Sequence, residues 1–390
     1  MKNICYRGNN MKIAHLSDLH LGKVVYNYSM LEEQKDILGK ITDILTTENI
    51  KTLLIAGDIY DKSVPSAEAI KCFDEFLVGL SKAGVTVFII SGNHDSNERI
   101  SFGADLMAVS GVHIAKPLTK STKDIQPVML QDEFGPVHIY MLPFIKPVHV
   151  KVAFETEDIA DYTQALKMVI DNMHVDTSAR NILITHQFVT GGARCESEQI
   201  SVGGSDNVDS PVFEVFDYVA LGHLHGPQHI GRETLRYCGS PLKYSFSEVS
   251  HKKSLTVINL NAKGDTRLEF IPLKPLHDWQ EIKGKYNDLM AKDFRDKQNL
   301  QNFFHITLTD EEDVPDALNK LRMAYPNIMQ LSYDNTRTAS NTQIGTLEQA
   351  ESKTPFEVFA EFYKKQNNQD LSEQQTKHIS ALIEKIWEEK

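Results

Sequence analysis

Five short runs of β-branched and aliphatic residues stand out along the chain, and each ends abruptly in glycine or polar residues. They are KIAHLS before Asp18, TLLIA before Gly57, VTVFII before Ser91, NILIT before His186 and YVAL before Gly222. Continuous apolar runs of this length read as strands covered on both faces. The first three are separated by helix-length segments, residues 31–48 and 67–82. That alternation predicts a layered α/β fold with helices packed on a largely buried sheet, extending from Met11 to about Ile271.

Pro272 and Pro275 then punctuate the chain, and a smaller unit follows: a strand over 303–309, a helix over 314–324 and a strand over 328–333. This reads as a compact α+β appendage. Residues 335–353 are polar and without period, which predicts a linker. Beyond it, Thr354-Pro355-Phe356-Glu357 and Ser372-Glu373-Gln374-Gln375 have the form of capping boxes, so two short helices are expected. The first carries Phe356, Phe359, Phe362 and Tyr363 at helical spacing, the second Ile379, Leu382, Ile383, Ile386 and Trp387. Such stripes must be covered, by the body of the protein or by a partner, and the linker before them favours a partner. Residues 1–10 read as an N-terminal extension without assigned function.

Composition narrows the class. The chain has 390 residues with 41% hydrophobic and 24% charged, enough for two or three domains with a sizeable core. No apolar run approaches bilayer length and no secretory signal is evident, so a cytoplasmic protein without a membrane role is expected. Four scattered cysteines without a C-x-x-C pair argue against a disulfide framework and a thiolate zinc site. A net charge of −12 is the wrong sign for DNA binding through the overall field, so any nucleic-acid contact must be local or assisted by a metal or a basic partner.

Each of the five runs ends in residues able to bind a metal. They supply Asp18-Leu19-His20, Gly57-Asp58, Gly92-Asn93-His94-Asp95, Thr185-His186 and Gly222-His223-Leu224-His225. In α/β sheets ligands bind at the carboxyl ends of strands. Carboxylate, amide and imidazole donors without thiolate suit octahedral Mn²⁺ or Fe²⁺ better than structural zinc. Singly each motif is common; five together, in this order and each at a strand end, are a specific signal. His15, His113, His138 and His251 lie outside the set and read as ordinary core or surface residues.

The set resembles the signature of the calcineurin-like metallophosphoesterases, D-x-H, G-D, G-N-H-[DE], H and G-H-x-H, with every element present. HLSDLHLGK, GDIYDKSVPS, SGNHDS, LPFIKP, YVALGHLHGPQ and YCGSPLKYSFSE are further similar to those members that serve as nuclease subunits of bacterial ATP-driven DNA-repair complexes. The resemblance implies a layered metallophosphoesterase sandwich over 11–275, a small α+β DNA-capping domain over 276–334 and, past the linker, a C-terminal helical segment over 354–390 that grips a coiled-coil ATPase. It implies one metal held by Asp18, His20, Asp58 and His225, a second held by Asp58, Asn93, His186 and His223, and Asp58 bridging the two. The ions would be two Mn²⁺, with Mg²⁺ or Fe²⁺ as alternatives, polarising a phosphate and acidifying a water. His94, not itself a ligand, is free to face the phosphate as acid or transition-state stabiliser, and Asp61 is placed to orient or charge it.

The expected activity is double-strand exonuclease and hairpin or single-strand endonuclease cleavage of DNA, by a homodimer within a heterotetramer. Lys23, Arg99, Lys146 and Lys151 are candidate phosphate contacts, and residues 31–44 and 67–80 candidate dimer contacts. Two rivals carry the same signature: a stand-alone phosphodiesterase acting on small nucleotides, which would have no use for the segments after Leu276, and a metal-free scaffold, which would have lost ligands.

Overall fold

The computed structural model describes residues 4–5, 11–198, 206–312, 314–336, 356, 359–360, 363–364 and 370–388. Two compact units are separated at Asp278 and Trp279.

The larger unit is built on two sheets. The first has six strands: β2 (Met11–Leu16), β3 (Thr52–Ala56), β4 (Thr86–Ile90) and β5 (Val112–Ile114) run parallel, and the hairpin β12 (Ser254–Leu260) and β13 (Thr266–Pro272) adds antiparallel on the β2 side. The second has seven strands in the order β1 (Ile4–Cys5), β6 (Val128–Asp132), β7 (Gly135–Leu142), β8 (Arg180–His186), β9 (Tyr218–Gly222), β11 (Arg232–Tyr237) and β10 (Gln228–Ile230). The five apolar runs therefore fall on two sheets, three on one and two on the other, as the sandwich implied by the resemblance requires, although the run pattern alone suggested one sheet. Sequence shows that a strand is buried on both faces; it does not show which strand lies beside it.

The reason for continuous apolar runs is visible in β8 and β9. Ile182, Ile184, Tyr218 and Ala220 point into the sandwich, against Ile13, Leu54, Phe88 and Ile90 of the other sheet. The alternate residues Leu183, Val219 and Leu221 face outward, where α3 (Pro147–Phe154) and α4 (Tyr162–Asn172) cover them with Val150, Leu166, Val169 and Ile170. With both faces dry, period-2 alternation disappears from the sequence. Each such side chain removes apolar surface worth about 1.5–3 kcal/mol from water. Helix α1 (Leu31–Thr47) buries Ile37, Leu38, Ile41 and Leu45, and α2 (Ala67–Lys82) buries Phe73, Phe76, Leu77 and Leu80. These apolar faces belong to the core. Ser66 starts α2 by accepting the Ala69 N–H.

At the amino end of β8 the two sheets are tied by a buried cation. The Arg180 guanidinium pairs with both carboxylate oxygens of Asp132 and also donates to the carbonyl oxygens of Gly135 at 2.7 Å and Asn261 at 2.9 Å. It thereby links the β6–β7 turn to the end of β12. Arg180 and Asp132 are both buried.

The smaller unit holds a parallel three-stranded sheet, β14 (Trp279–Gly284), β15 (Phe303–Leu308) and β16 (Ile328–Tyr333). Its core is Ile282, Leu289, Phe304, Ile306, Leu308, Leu321 and Tyr325. The helix expected over 314–324 is shorter, α5 (Ala317–Arg322). Pro315 disfavours helical backbone at the residue before it, and Asp316 is left-handed at φ 54°. Helix α6 (Glu373–Glu388) does start on its expected box: Ser372 Oγ accepts the Gln375 N–H at 3.3 Å and Gln375 Oε1 accepts the Ser372 N–H at 2.9 Å. The bulk of the extension at 1–10, most of the linker and most of the first tail helix lie outside the described residues.

Arg180→Met strands a buried carboxylate. It should cost about 3–5 kcal/mol, read as a lowered urea midpoint for the larger unit, and the double variant Arg180→Met, Asp132→Leu should recover most of that loss.

Candidate metal centre

Because β2, β3 and β4 are parallel within one sheet and β8 and β9 within the other, their carboxyl ends meet at one edge of the sandwich. The loops there are stitched by backbone: the Asp18 N–H donates to Gly57 O at 3.0 Å, His20 N–H to Asp58 O at 2.9 Å and Leu21 N–H to Ile59 O at 2.9 Å. These turns require unusual backbone. Asp18, His20 and Asp58 have φ of 54°, 45° and 48°, and His223 has φ 110°. Such conformations cost roughly 1–3 kcal/mol each and persist where the surroundings impose them. Close approach also demands glycine: a Cβ on Gly92 would stand 2.1 Å from Asp58 Oδ1, and one on Gly222 1.8 Å from Ala56 O.

All seven expected ligands converge. Asp18, His20 and His225 each place a ligand atom within 4.8 Å of the others, as do Asp18, Asp58 and His186. Asp58 Oδ2 lies 3.6 Å from His20 Nε2 and 3.4 Å from His186 Nε2. Asn93 Oδ1 sits 2.9 Å from His186 Nε2 and 3.0 Å from His223 Nδ1. All of these residues but Asn93 are buried. His20 Nε2 faces His225 Nε2 at 3.1 Å, while His20 Nδ1 has no hydrogen-bond partner among the described residues.

The donor set fits divalent cations. His186 Nδ1–H donates to Ala56 O at 2.8 Å, which leaves its Nε2 lone pair facing the Asp58 and Asn93 oxygens. Acceptor atoms thus confront one another in a dry site, an arrangement that calls for positive charge at their centre. Without a cation a proton fills the role. Burial by itself lowers the His186 imidazole, but the Asp58 charge outweighs it and pushes it up to about 9. Burial raises Asp58, yet His186, with His20 and His94 behind it, holds the carboxyl well below its usual range. Burial pushes the Asp18 carboxyl up to about 6 and the His20 and His223 imidazoles down to about 3, so both imidazoles stay neutral.

His94 lies beside the cluster with Nε2 3.9 Å from Asp58 Oδ2 and Nδ1 3.0 Å from a carbonyl oxygen of Asp61. The Asp61 contact expected of a carboxylate is thus made by the main chain. The carboxylate turns instead to Lys23 Nζ at 2.8 Å, and approaches His20 Nδ1 at 3.6 Å. Of the other candidate phosphate contacts, Lys151 pairs with Glu157, and Arg99 lines an apolar cavity of about 590 Å³ with Tyr60, Ile70, Phe73 and Phe102.

Several residues support the centre without having been given a role by the sequence. Asp95 accepts the N–H groups of Ile59, Tyr60 and Gly92 at 2.9–3.0 Å and so staples the β3 and β4 loops together. Gln34 on α1 donates to His20 O at 2.8 Å and accepts the Gly22 N–H at 3.0 Å. Tyr244, from the GSPLKYSFSE stretch, donates to Leu19 O at 2.5 Å, and its ring meets those of His20 and His225. Of the histidines outside the set, His15 is buried 3.0 Å from the Tyr218 hydroxyl and His113 stacks on Phe88. His251 meets Cys195 and Glu248, but the Lys253 ammonium already neutralises Glu248 at 2.6 Å.

A two-sheet sandwich with these donors at one edge defines a class. A family model described as calcineurin-like phosphoesterase matches residues 11–227, and the chain belongs to that family, as a metal-dependent hydrolase. A second family model, described as type 5 capsule protein repressor C-terminal domain, matches residues 273–367. The chain is 34% identical over 380 residues to the SbcD subunit of the nuclease SbcCD from Staphylococcus epidermidis, covering 96% of this chain and 98% of that one. Two solved structures, TT1561 of Thermus thermophilus and a dimetal phosphatase from Danio rerio, match 68% of this chain and 100% of theirs at 12% and 11% identity, each with a TM-score of 0.40.

In the metal-free protein His186 is protonated below about 9 and Asp18 below about 6. Cation binding must expel those protons, so Mn²⁺ affinity should rise with pH up to about 9, most steeply below 6. Calorimetric titration in two buffers of different ionisation enthalpy should show proton release at pH 7; affinity independent of pH would contradict this charge balance.

Proposed function

We propose that this chain is the nuclease subunit of an SbcCD-type complex, hydrolysing DNA phosphodiester bonds at a two-metal centre. The observation that carries the reading is the meeting of five strand ends from two sheets around Asp58. Asp18, His20, Asp58 and His225 would hold one cation, and Asp58, Asn93, His186 and His223 the other, the pair being two Mn²⁺ with Mg²⁺ or Fe²⁺ as alternatives. When bound, the pair supplies Lewis-acid polarisation of the phosphate and a lowered pKa for a water.

The protein's own groups do the rest. The Asp58 carboxylate sits at the centre of the cluster, where it can serve both cations at once. The Asp61 carbonyl oxygen accepts from the His94 Nδ1–H, which turns Nε2 toward the site; carrying a second proton there, the imidazolium hydrogen-bonds the phosphate or gives that proton to the departing oxygen. The Lys23 ammonium, held between Asp61 and the Tyr244 ring, adds positive charge at the rim of a chain whose net charge is −12.

DNA, rather than a small ester, is favoured by likeness over nearly the whole length of a nuclease subunit. On this reading the smaller unit caps DNA and the α6 segment, with Leu382 exposed and Ile379 and Ile383 half-buried, engages an SbcC-type coiled-coil ATPase. The assembly would be a homodimer within a heterotetramer acting in repair, recombination and replication, as double-strand exonuclease and hairpin or single-strand endonuclease. Among the described residues no helix is long and apolar enough to cross a membrane, and the working compartment is taken to be the cytoplasm.

With Mn²⁺ and a labelled duplex, His94→Gln should reduce cleavage by about 10²-fold or more while leaving metal binding intact. Hydrolysis of a small chromogenic phosphodiester with DNA left whole, with and without the ATPase, would remove the DNA assignment. On a hairpin substrate, addition of the ATPase partner with ATP should accelerate cleavage severalfold; equal rates with and without it would remove the partner.

A further inference from the structure

His225 is held unlike the other histidines of the centre. Its Nδ1 lies 2.7 Å from Ser197 Oγ, and the Ser197 hydroxyl donates onward to Glu248 Oε1 at 2.6 Å. A hydroxyl has one hydrogen, and here it goes to the carboxylate. Ser197 Oγ must therefore accept from His225, so Nδ1 carries the hydrogen and Nε2 presents a bare lone pair to the centre. His186 and His94 rest on main-chain carbonyls instead.

The far end of the relay is built to stay charged. Glu248 is fully buried, and the Lys253 ammonium meets its Oε2 at 2.6 Å. Lys253 also donates to His225 O at 2.8 Å and to Ser240 Oγ at 2.8 Å. On the other side the His225 N–H donates to Glu198 Oε1 at 2.6 Å, and Glu198 Oε2 accepts the Cys195 N–H at 2.9 Å. The ligand is thus gripped at ring and main chain by a loop, residues 195–198, remote from it in sequence. A buried ion pair is costly to desolvate and is a weak source of stability by itself. Carboxylates placed behind metal-binding imidazoles fix the ring and strengthen it as a donor.

We infer that Glu248, acting through Ser197, is a positioning residue that tunes one cation site of the pair, the one bounded by Asp18, His20 and His225. The inference rests on the two-metal reading above and adds to it an asymmetry: a carboxylate relay stands behind His225 on one side, and the Ala56 carbonyl behind His186 on the other.

The test uses the full chain, with Ser197→Ala, Ser197→Thr and Glu248→Gln, and reads Mn²⁺ binding by calorimetry and by low-temperature electron paramagnetic resonance. The expected result is two Mn²⁺ in the unaltered chain with an exchange-coupled spectrum. In Ser197→Ala and Glu248→Gln one Mn²⁺ should weaken by about 10–100-fold, the other should bind as before, and uncoupled six-line signals should appear at intermediate Mn²⁺. Ser197→Thr keeps the hydroxyl and should restore the coupled spectrum. If Glu248→Gln does not fold, Ser197→Ala decides alone. Unchanged binding of both ions, or equal weakening of both, overturns the proposal. An unaltered chain that binds fewer than two Mn²⁺ overturns the two-metal reading and this proposal with it, and that failure shows before any variant is made.

Discussion

The structure depends on a concentration of acceptor atoms that cannot satisfy one another. Around the buried Asp58 carboxylate stand Asp18, the Asn93 amide oxygen and the ring nitrogens of His20, His186 and His225, all within a few ångströms. In a dry interior such a grouping is unfavourable unless positive charge sits among it. Much of the surrounding architecture resists the tendency of these groups to move apart. Asp95 clamps two loops through three N–H groups, Gln34 anchors the Asp18–His20 turn from α1, and glycines at 92 and 222 let main chains come closer than any side chain would permit.

How much of this was legible in the sequence varies by element for physical reasons. The strands β2, β3, β4, β8 and β9 announce themselves because both faces are covered, which makes each a continuous apolar run. The hairpin β12–β13 and strand β14 do not. In β13, exposed and half-buried residues such as Glu269 and Phe270 stand at the open edge of the sheet, and β14 mixes Trp279 and Ile282 with Gln280, Glu281 and Lys283. The partition into two sheets was invisible in the run pattern, because pairing is a property of three-dimensional neighbours, and only the family resemblance implied it. The convergence of the seven donors follows from strand direction, so their positions in the sequence foretold it. The supports did not show: which atom of Asp61 meets His94, or that Ser197 and Glu248 lie behind His225, depends on loops that come together across 33 and 51 residues of chain.

The two units answer different demands. The larger one is a sandwich with its chemistry at one edge and the Arg180–Asp132 lock at the amino end of β8, so charge is buried at both ends for different reasons. One serves closure and is complete within the chain. The other is incomplete until a cation joins it. The smaller unit has its own core around Phe304, Leu321 and Tyr325, with the Tyr325 hydroxyl donating to Leu289 O at 2.6 Å.

The left-handed backbone at Asp18, His20 and Asp58 bears on how the centre can be disabled for study. Asparagine tolerates that conformation better than other residues with a β-carbon, and alanine does not. An alanine scan would confound two losses, the coordinating oxygen and a turn that alanine resists. Asparagine at 18 or 58 subtracts the negative charge and leaves the path of the main chain in place, which makes it the cleaner route to a silent scaffold for capturing bound substrate.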